Sequence, residues 1–270
     1  MTNAYTHGHH ESVLRSHRWR TAQNSAGYLL GSITPGMRLL DVGCGPGTIT
    51  MDLAELVGPT GRVTALERTH GALELARQEG DRRQATNVEF VVADVQALDL
   101  PEDGFDVVHA HQVLQHVDDP HLAQRELREM RRVCRPGGIV AARDSDYAGF
   151  VWHPEVPELD RWLEIYRQTA RANAAEPDAG RRLLSWARAA GFDDVTATSS
   201  TWCFATPEDR AWWGGLWADR VVDSDLARQV VQHDLATAGE LAQIAAGWRR
   251  WAEHDDAWFS VLHGEVVARA

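Results

Sequence analysis

The stretch LLDVGCGPGTIT, Leu39 to Thr50, constrains the fold of this chain more than any other. An apolar run ends in the acid Asp41, glycines follow at 43, 45 and 47, and a helix candidate begins at once. A strand that delivers its chain into such a turn opens a crevice at the strand's carboxyl end, and glycine lets the backbone approach whatever lies there. The same alternation runs on to Arg143. MRLLDV, RVTAL, VEFVVA, FDVVHA and GIVAAR read as five strands, with helix candidates near residues 48–57, 70–80 and 119–134. Near-continuous apolar strands separated by helices imply a parallel sheet covered on both faces, joined by right-handed crossovers.

Beyond residue 150 the pattern changes. Segments 155–174 and 178–190 read as helices, and residues 193–205, DDVTATSSTWCFA, as a strand. Thr206-Pro207-Glu208-Asp209 is a helix start: a hydroxyl cap, proline at the first position and acids in the first turn. Helices are expected over 207–221 and 224–254, and AWFSVLHGEVVAR closes the chain as a strand. With no repeat or linker, the expectation is a single domain over 1–270. Within it, 1–32 forms an N-terminal segment, 33–150 the core, 151–256 helical additions with one strand, and 257–270 the last strand.

The chain carries 39 acidic against 27 basic residues, a formal charge of −12. That disfavours sequence-independent binding to nucleic acid, which needs basic side chains to displace counterions from phosphates. Cys44, Cys134 and Cys203 show no CxxC spacing, so a reduced cytoplasmic protein is expected rather than a disulfide scaffold. The first residues lack a secretory pattern, and no apolar stretch approaches membrane-spanning length.

The glycine loop itself narrows the ligand. A dinucleotide pattern, G-x-G-x-x-G, would place glycine at position 48, which is Thr48, and Pro46 removes an amide that could serve a pyrophosphate. The loop is therefore shaped for a ligand without phosphates. Glu67, ending RVTALE with Arg68 beside it, can accept both hydroxyls of a ribose. Asp94 ends the third strand where it can meet an adenine amine, with Val95 against the ring.

LLDVGCGPG, the acid at Glu67, ADVQALDLPEDGFDVV and CRPGG resemble, in order and spacing, the motifs of the class I S-adenosylmethionine-dependent methyltransferases, and in particular the small-molecule group related to the ubiquinone and menaquinone methyltransferases. The resemblance is firm over residues 37–143 and looser beyond. It implies an α/β, Rossmann-like seven-stranded sheet, mostly parallel with an antiparallel last strand, helices on both faces and helical lid additions. It also implies S-adenosylmethionine as methyl donor and S-adenosylhomocysteine as product. Asp41, Gly43, Cys44 and Gly45 would follow the methionine half, Glu67 and Arg68 the ribose, and Asp94 and Val95 the adenine. Ala110, His111 and Gln112 would line the site after strand four, and the N-terminal segment would close as a lid carrying Tyr5 and His7.

Methyl transfer is an in-line displacement, and placement alone can supply roughly 7–11 kcal/mol of the barrier reduction. His111 is the candidate general base; it reads equally as lining of the methionine end. His109 and His116 read as structural, and the histidines of the N-terminal HGHH lack an acidic or cysteine partner for a metal. Substrate-side candidates are His7, Asp144, Tyr147, Trp152 and Trp213; Asp144 and Asp146 read either as anchors for a cation or as caps. Ten of the eleven tryptophans follow residue 150, mostly as packing. The expected reaction is methylation of a small acceptor at nitrogen, oxygen or carbon in secondary or cofactor metabolism, with no metal and no membrane or nucleic-acid partner, and with a homodimer as the assembly to test. Cyclisation or elimination of S-adenosylmethionine on the same fold, and a cofactor-binding partner subunit without turnover, remain as rivals.

Overall fold

A computed structural model describes residues 11–117 and 119–270. The elements in chain order are α1 (Glu11–Arg18), α2 (Ala22–Ser25), α3 (Gly27–Leu30), β1 (Arg38–Val42), α4 (Thr48–Val57), β2 (Arg62–Glu67), α5 (His70–Arg83), β3 (Val88–Val92), β4 (Phe105–His111), α6 (Pro120–Val133) and β5 (Cys134–Ser145). There follow β6 (Val151–His153), α7 (Pro157–Ala172), α8 (Leu183–Ala189), β7 (Val195–Phe204), α9 (Pro207–Arg220), α10 (Asp225–Gln232), α11 (Ala238–Glu253) and β8 (Trp258–Arg269). The chain folds as two compact units.

The first, the core unit, comprises His17–Ser145, Ala179–Ser200 and His263–Ala270. Its sheet runs β3-β2-β1-β4-β5-β8, with β7 beside β8. All pairs from β3 to β5 are parallel, and β8 runs antiparallel to β5 with Val140 opposite Ala268. Alternation sorts the strand residues onto two faces. Leu40, Val42, Val108, Ala110, Val140 and Ala142 pack with Leu127 and Met130 of α6 and Leu183 and Trp186 of α8. Leu39, Val107, Ile139 and Ala141 pack on the other face with Leu53 and Val57 of α4 and with Leu29. Strand order reverses between β1 and β4, which is where an open α/β sheet presents its binding crevice.

The second, the helical unit, contains Asp146–Asp178 and Thr201–Leu262, with the described residues up to Ser16. Its interior is aromatic. Trp162 meets Trp217 and Trp248 edge-on at 4.6 and 4.9 Å, and Trp251 packs on Trp248 and Phe259. β6 pairs antiparallel with β8 over Val151–His153.

Three expectations are corrected. The sheet has eight strands rather than seven, because the three-residue β6 is too short to show a period. Residues 12–31, whose Val13, Leu14, Trp19 and Leu29 imply one amphipathic helix, form three instead, since Thr21 starts α2 with its own capping box: its Oγ accepts Asn24 N–H while Asn24 Oδ1 accepts Thr21 N–H. The helix expected over 224–254 is two, because Asp234 takes φ +53° and Thr237 caps α11 through Glu240 N–H. The membrane-length criterion is met by no helix among the described residues.

Candidate functional site

The site is built at the carboxyl ends of β1 to β5 in the core unit. The loop after β1 is pinned to β2, with Gly43 and Cys44 N–H both donating to Leu66 carbonyl oxygen at 2.8 and 3.0 Å. Gly47 caps α4 at φ +80°, and a Cβ there would meet Ala76 at 3.0 Å. Gly45 takes φ +52° with open space where a Cβ would point, so the loop offers a bare backbone shelf.

Glu67, at the tip of β2, faces this shelf. Its Oε2 accepts Gly45 N–H at 3.2 Å and its Oε1 accepts Arg68 N–H at 3.0 Å, while the Arg68 side chain is exposed. After β3, Asp94 caps a short 3₁₀ turn, Val95–Ala97, by accepting Gln96 N–H at 2.9 Å. Asp94 is exposed and Val95 buried beneath it. These groups fit adenosine and methionine: carboxylates with lone pairs to spare for hydroxyls and an amine, an apolar floor, and a bare backbone shelf.

Below the loop, Asp41 is buried, taking Thr50 Oγ1–H at 2.6 Å and standing 2.8 Å from His109 Nδ1. That pair braces β1 against β4 and α4, so Asp41 supports the loop from beneath. Cys44 is buried, and its thiol is pushed up by burial, with Asp41 and Glu67 adding to it, which suits a filler rather than a nucleophile.

The register that sets Ala110 beside Val42 brings His111 next to the start of the glycine loop. His111 is 6 % exposed and stacks on His263 of β8 with ring centroids 6.1 Å apart. Burial, with Arg20 and Arg143 adding positive charge, holds its pKa well below the ordinary histidine value, so the ring is neutral at physiological pH. Gln112, at φ +54°, collects its neighbours: Oε1 accepts Arg20 Nη2–H at 2.6 Å, and Nε2 donates to Ser145 Oγ at 2.7 Å and lies 2.9 Å from His263 Nε2. His116 is pushed down to about 4 by burial and by Arg20 and Arg68, in keeping with a structural part.

Asp144 departs from the expected substrate anchor. It is fully buried, its Oδ1 accepts Gln115 N–H at 3.1 Å, and burial raises its pKa to about 7. It organises the turn after β4 from underneath. Its neighbour Arg143 is committed to Glu265 at 3.2 Å and to Ser200 at 3.1 Å. Two of the aromatic candidates, both in the helical unit, are also enclosed. Tyr147 stacks between Phe150 and Tyr166 at 4.4 and 4.0 Å, and Trp213 lies on Phe204 at 4.3 Å. Trp152 is half-buried against Phe259 at 5.5 Å. Tyr5 and His7 lie outside the described residues.

Sequence reading placed Ser145 only within the segment after strand five, and missed Arg20, His263 and Glu126. Arg20 and His263 come from the two ends of the chain, and only the fold shows that they meet Gln112. Glu126 did leave a signal: it falls on the apolar stripe of α6, between Ala123 and Leu127 with Met130 one turn on, where a charge is out of place.

A family model described as a methyltransferase domain matches residues 33–203. An uncharacterized methyltransferase of Schizosaccharomyces pombe is 33% identical over 97% of this chain and 95% of its own length. A ubiquinone/menaquinone biosynthesis C-methyltransferase of Ectopseudomonas mendocina is 39% identical over 64% of this chain and 71% of its own. In fold, the chain is similar to the Haemonchus contortus phosphoethanolamine N-methyltransferase 2 solved with S-adenosyl-L-methionine, at a TM-score of 0.55 and 16% identity, covering 89% of this chain and 50% of that one. With the glycine shelf, Glu67 and Asp94 each at the strand end that the motifs imply, the chain belongs to the class I S-adenosylmethionine-dependent methyltransferases.

Proposed function

We propose that this methyltransferase acts on a small-molecule acceptor that gives up a proton as it is methylated, with His111 as general base. The observation that carries the reading is the position of His111, buried and beside the glycine loop in register; burial and nearby Arg20 and Arg143 favour its neutral ring. When bound, S-adenosylmethionine supplies a methyl group on a sulfonium. Glu67 is assigned to the ribose hydroxyls, Asp94 and Val95 to the adenine, and the Gly43–Gly45 backbone to the methionine half. Neutral His111 takes the acceptor's proton on an unprotonated ring nitrogen, and Gln112, held by Arg20 and Ser145, fixes the floor beside it. Burial excludes water that would compete for the methyl group.

Support for a small acceptor comes from the charge of −12, which is unfavourable for a polynucleotide, and from the relative named for ubiquinone/menaquinone biosynthesis. The three free cysteines agree with a reducing cytoplasm. Incubation with methyl-deuterated S-adenosylmethionine and a pool of phenols, amines, thiols and cell extract, read by mass spectrometry, tests the proposal. A labelled small product supports it and its fragments name the acceptor atom. Label found only in protein or nucleic acid overturns it.

A further inference from the structure

Glu126 takes no part in the chemistry described so far, yet it is 3 % exposed in the middle of α6. Its Oε1 accepts Gln96 Nε2–H at 3.2 Å, and its Oε2 has no hydrogen-bond partner among the described residues. Gln96 sits inside the Val95–Ala97 turn, and its own N–H donates to Asp94. Glu126 is therefore a buried acid attached from below to the turn assigned to adenine.

The charged groups that act on it come from three other elements: Asp94 on that turn, Asp144 on β5 and Arg68 after β2. Two of the three are acids. An ionised Glu126 would bury a charge with one oxygen unpaired, beside like charges, and such a charge is costly in a dry interior. Burial accordingly pushes its pKa up to about 8, against the opposing pull of the Gln96 hydrogen bond. At neutral pH it is an uncharged acid.

We propose that Glu126 is a positioning residue for the adenine end of the cofactor site: as a neutral acid it steadies Gln96 and the Asp94–Ala97 turn, and its ionisation displaces that turn and weakens cofactor binding. The inference rests on the assignment of adenine to Asp94 and Val95. The chain contains no lysine, and the thiols of Cys44 and Cys134 are raised by burial, the latter to about 11. Asp144, which also acts on Glu126, is raised to about 7, so the comparison with Glu126→Gln at each pH is what separates the two acids.

Calorimetric titration of the full chain with S-adenosylhomocysteine, from about pH 6.5 to 9.5, compares wild type with Glu126→Gln. The two are expected to agree within about twofold at the acid end, with wild type weaker by roughly tenfold at the alkaline end. The comparison cancels titration of the ligand's own amine. A difference infrared spectrum between the two proteins without ligand is expected to show a protonated carboxyl band from wild type at pH 7. Parallel affinity profiles, or no such band, would overturn the proposal. Asp94→Ala with unchanged affinity would instead strike the adenine assignment, and the role of Glu126 with it.

Discussion

The rim of the core unit and the interior of the helical unit use their side chains in opposite ways. On the rim, Glu67 and Asp94 are each held by one or two named hydrogen bonds and keep further polar capacity, and Gln112 is aimed by three. In the helical unit, Trp162, Trp213, Trp217 and Trp248 are buried with indole N–H groups that find no partner among the described residues. One region is organised by direction, the other by area. Substitutions on the rim should therefore change ligand behaviour and leave stability nearly untouched, while those among the tryptophans should do the reverse.

The largest effect is expected at His111. His111→Gln should lower kcat by about 10²–10⁴-fold while S-adenosylhomocysteine affinity in calorimetry stays within about threefold. Because the ring's pKa is well below the ordinary histidine value, the wild-type rate should also show no fall as pH drops from about 8 to 6. A rate that halves near pH 6.5 would remove His111 from the role of neutral base.

Next comes Trp248, which is 0 % exposed. Trp248→Ala should cost about 3–5 kcal/mol in denaturant unfolding. Trp248→Phe should cost less than about 1.5 kcal/mol, since it removes an unpaired buried donor along with some area. A large loss in the phenylalanine variant would show that the indole N–H has a partner, and the contrast between the two regions would narrow.

Glu67→Ala should weaken S-adenosylhomocysteine binding by roughly 10- to 100-fold, on the order of 1.5–3 kcal/mol, with a change in unfolding free energy below about 0.5 kcal/mol. Loss of stability without loss of affinity would turn Glu67 into a strut for Gly45. The smallest effect is expected at Thr206, whose Oγ1 accepts Asp209 N–H at 3.1 Å to start α9. Thr206→Ala should cost about 1 kcal/mol of stability and leave ligand affinity unchanged.

The same contrast explains what could be read from the chain before its fold was known. Gly45, Glu67 and Asp94 stand at short offsets from strand ends, and that placement was legible because the residue types follow the strands directly. Strands β1, β2, β4 and β5 were legible because burial on two faces writes an unbroken apolar run, while the edge strand β3, only partly buried, still showed through its valines and Phe90. Tyr147, Trp152 and Trp213 were not resolved as packing, since an aromatic residue that walls a ligand and one that fills a core look alike in sequence. Asp144 stayed open between anchor and cap because a carboxylate after a strand can point out to solvent or in to backbone N–H groups, and the structure turns it in to Gln115 N–H. The break between α10 and α11 was written as Thr237 followed by Glu240, a capping pattern that the apolar period obscured.

Gln112 carries a last consequence. A guanidinium only donates, so Arg20 can hold nothing but the carbonyl end of this amide. The amide's other end must then offer its hydrogens to Ser145 and to His263 Nε2, which has to meet them with a lone pair. The imidazole proton of His263 is thereby assigned to Nδ1. A residue at position 20 thus selects a tautomer at position 263, and an acceptor placed there instead would turn the amide over and reverse the polarity of the ring.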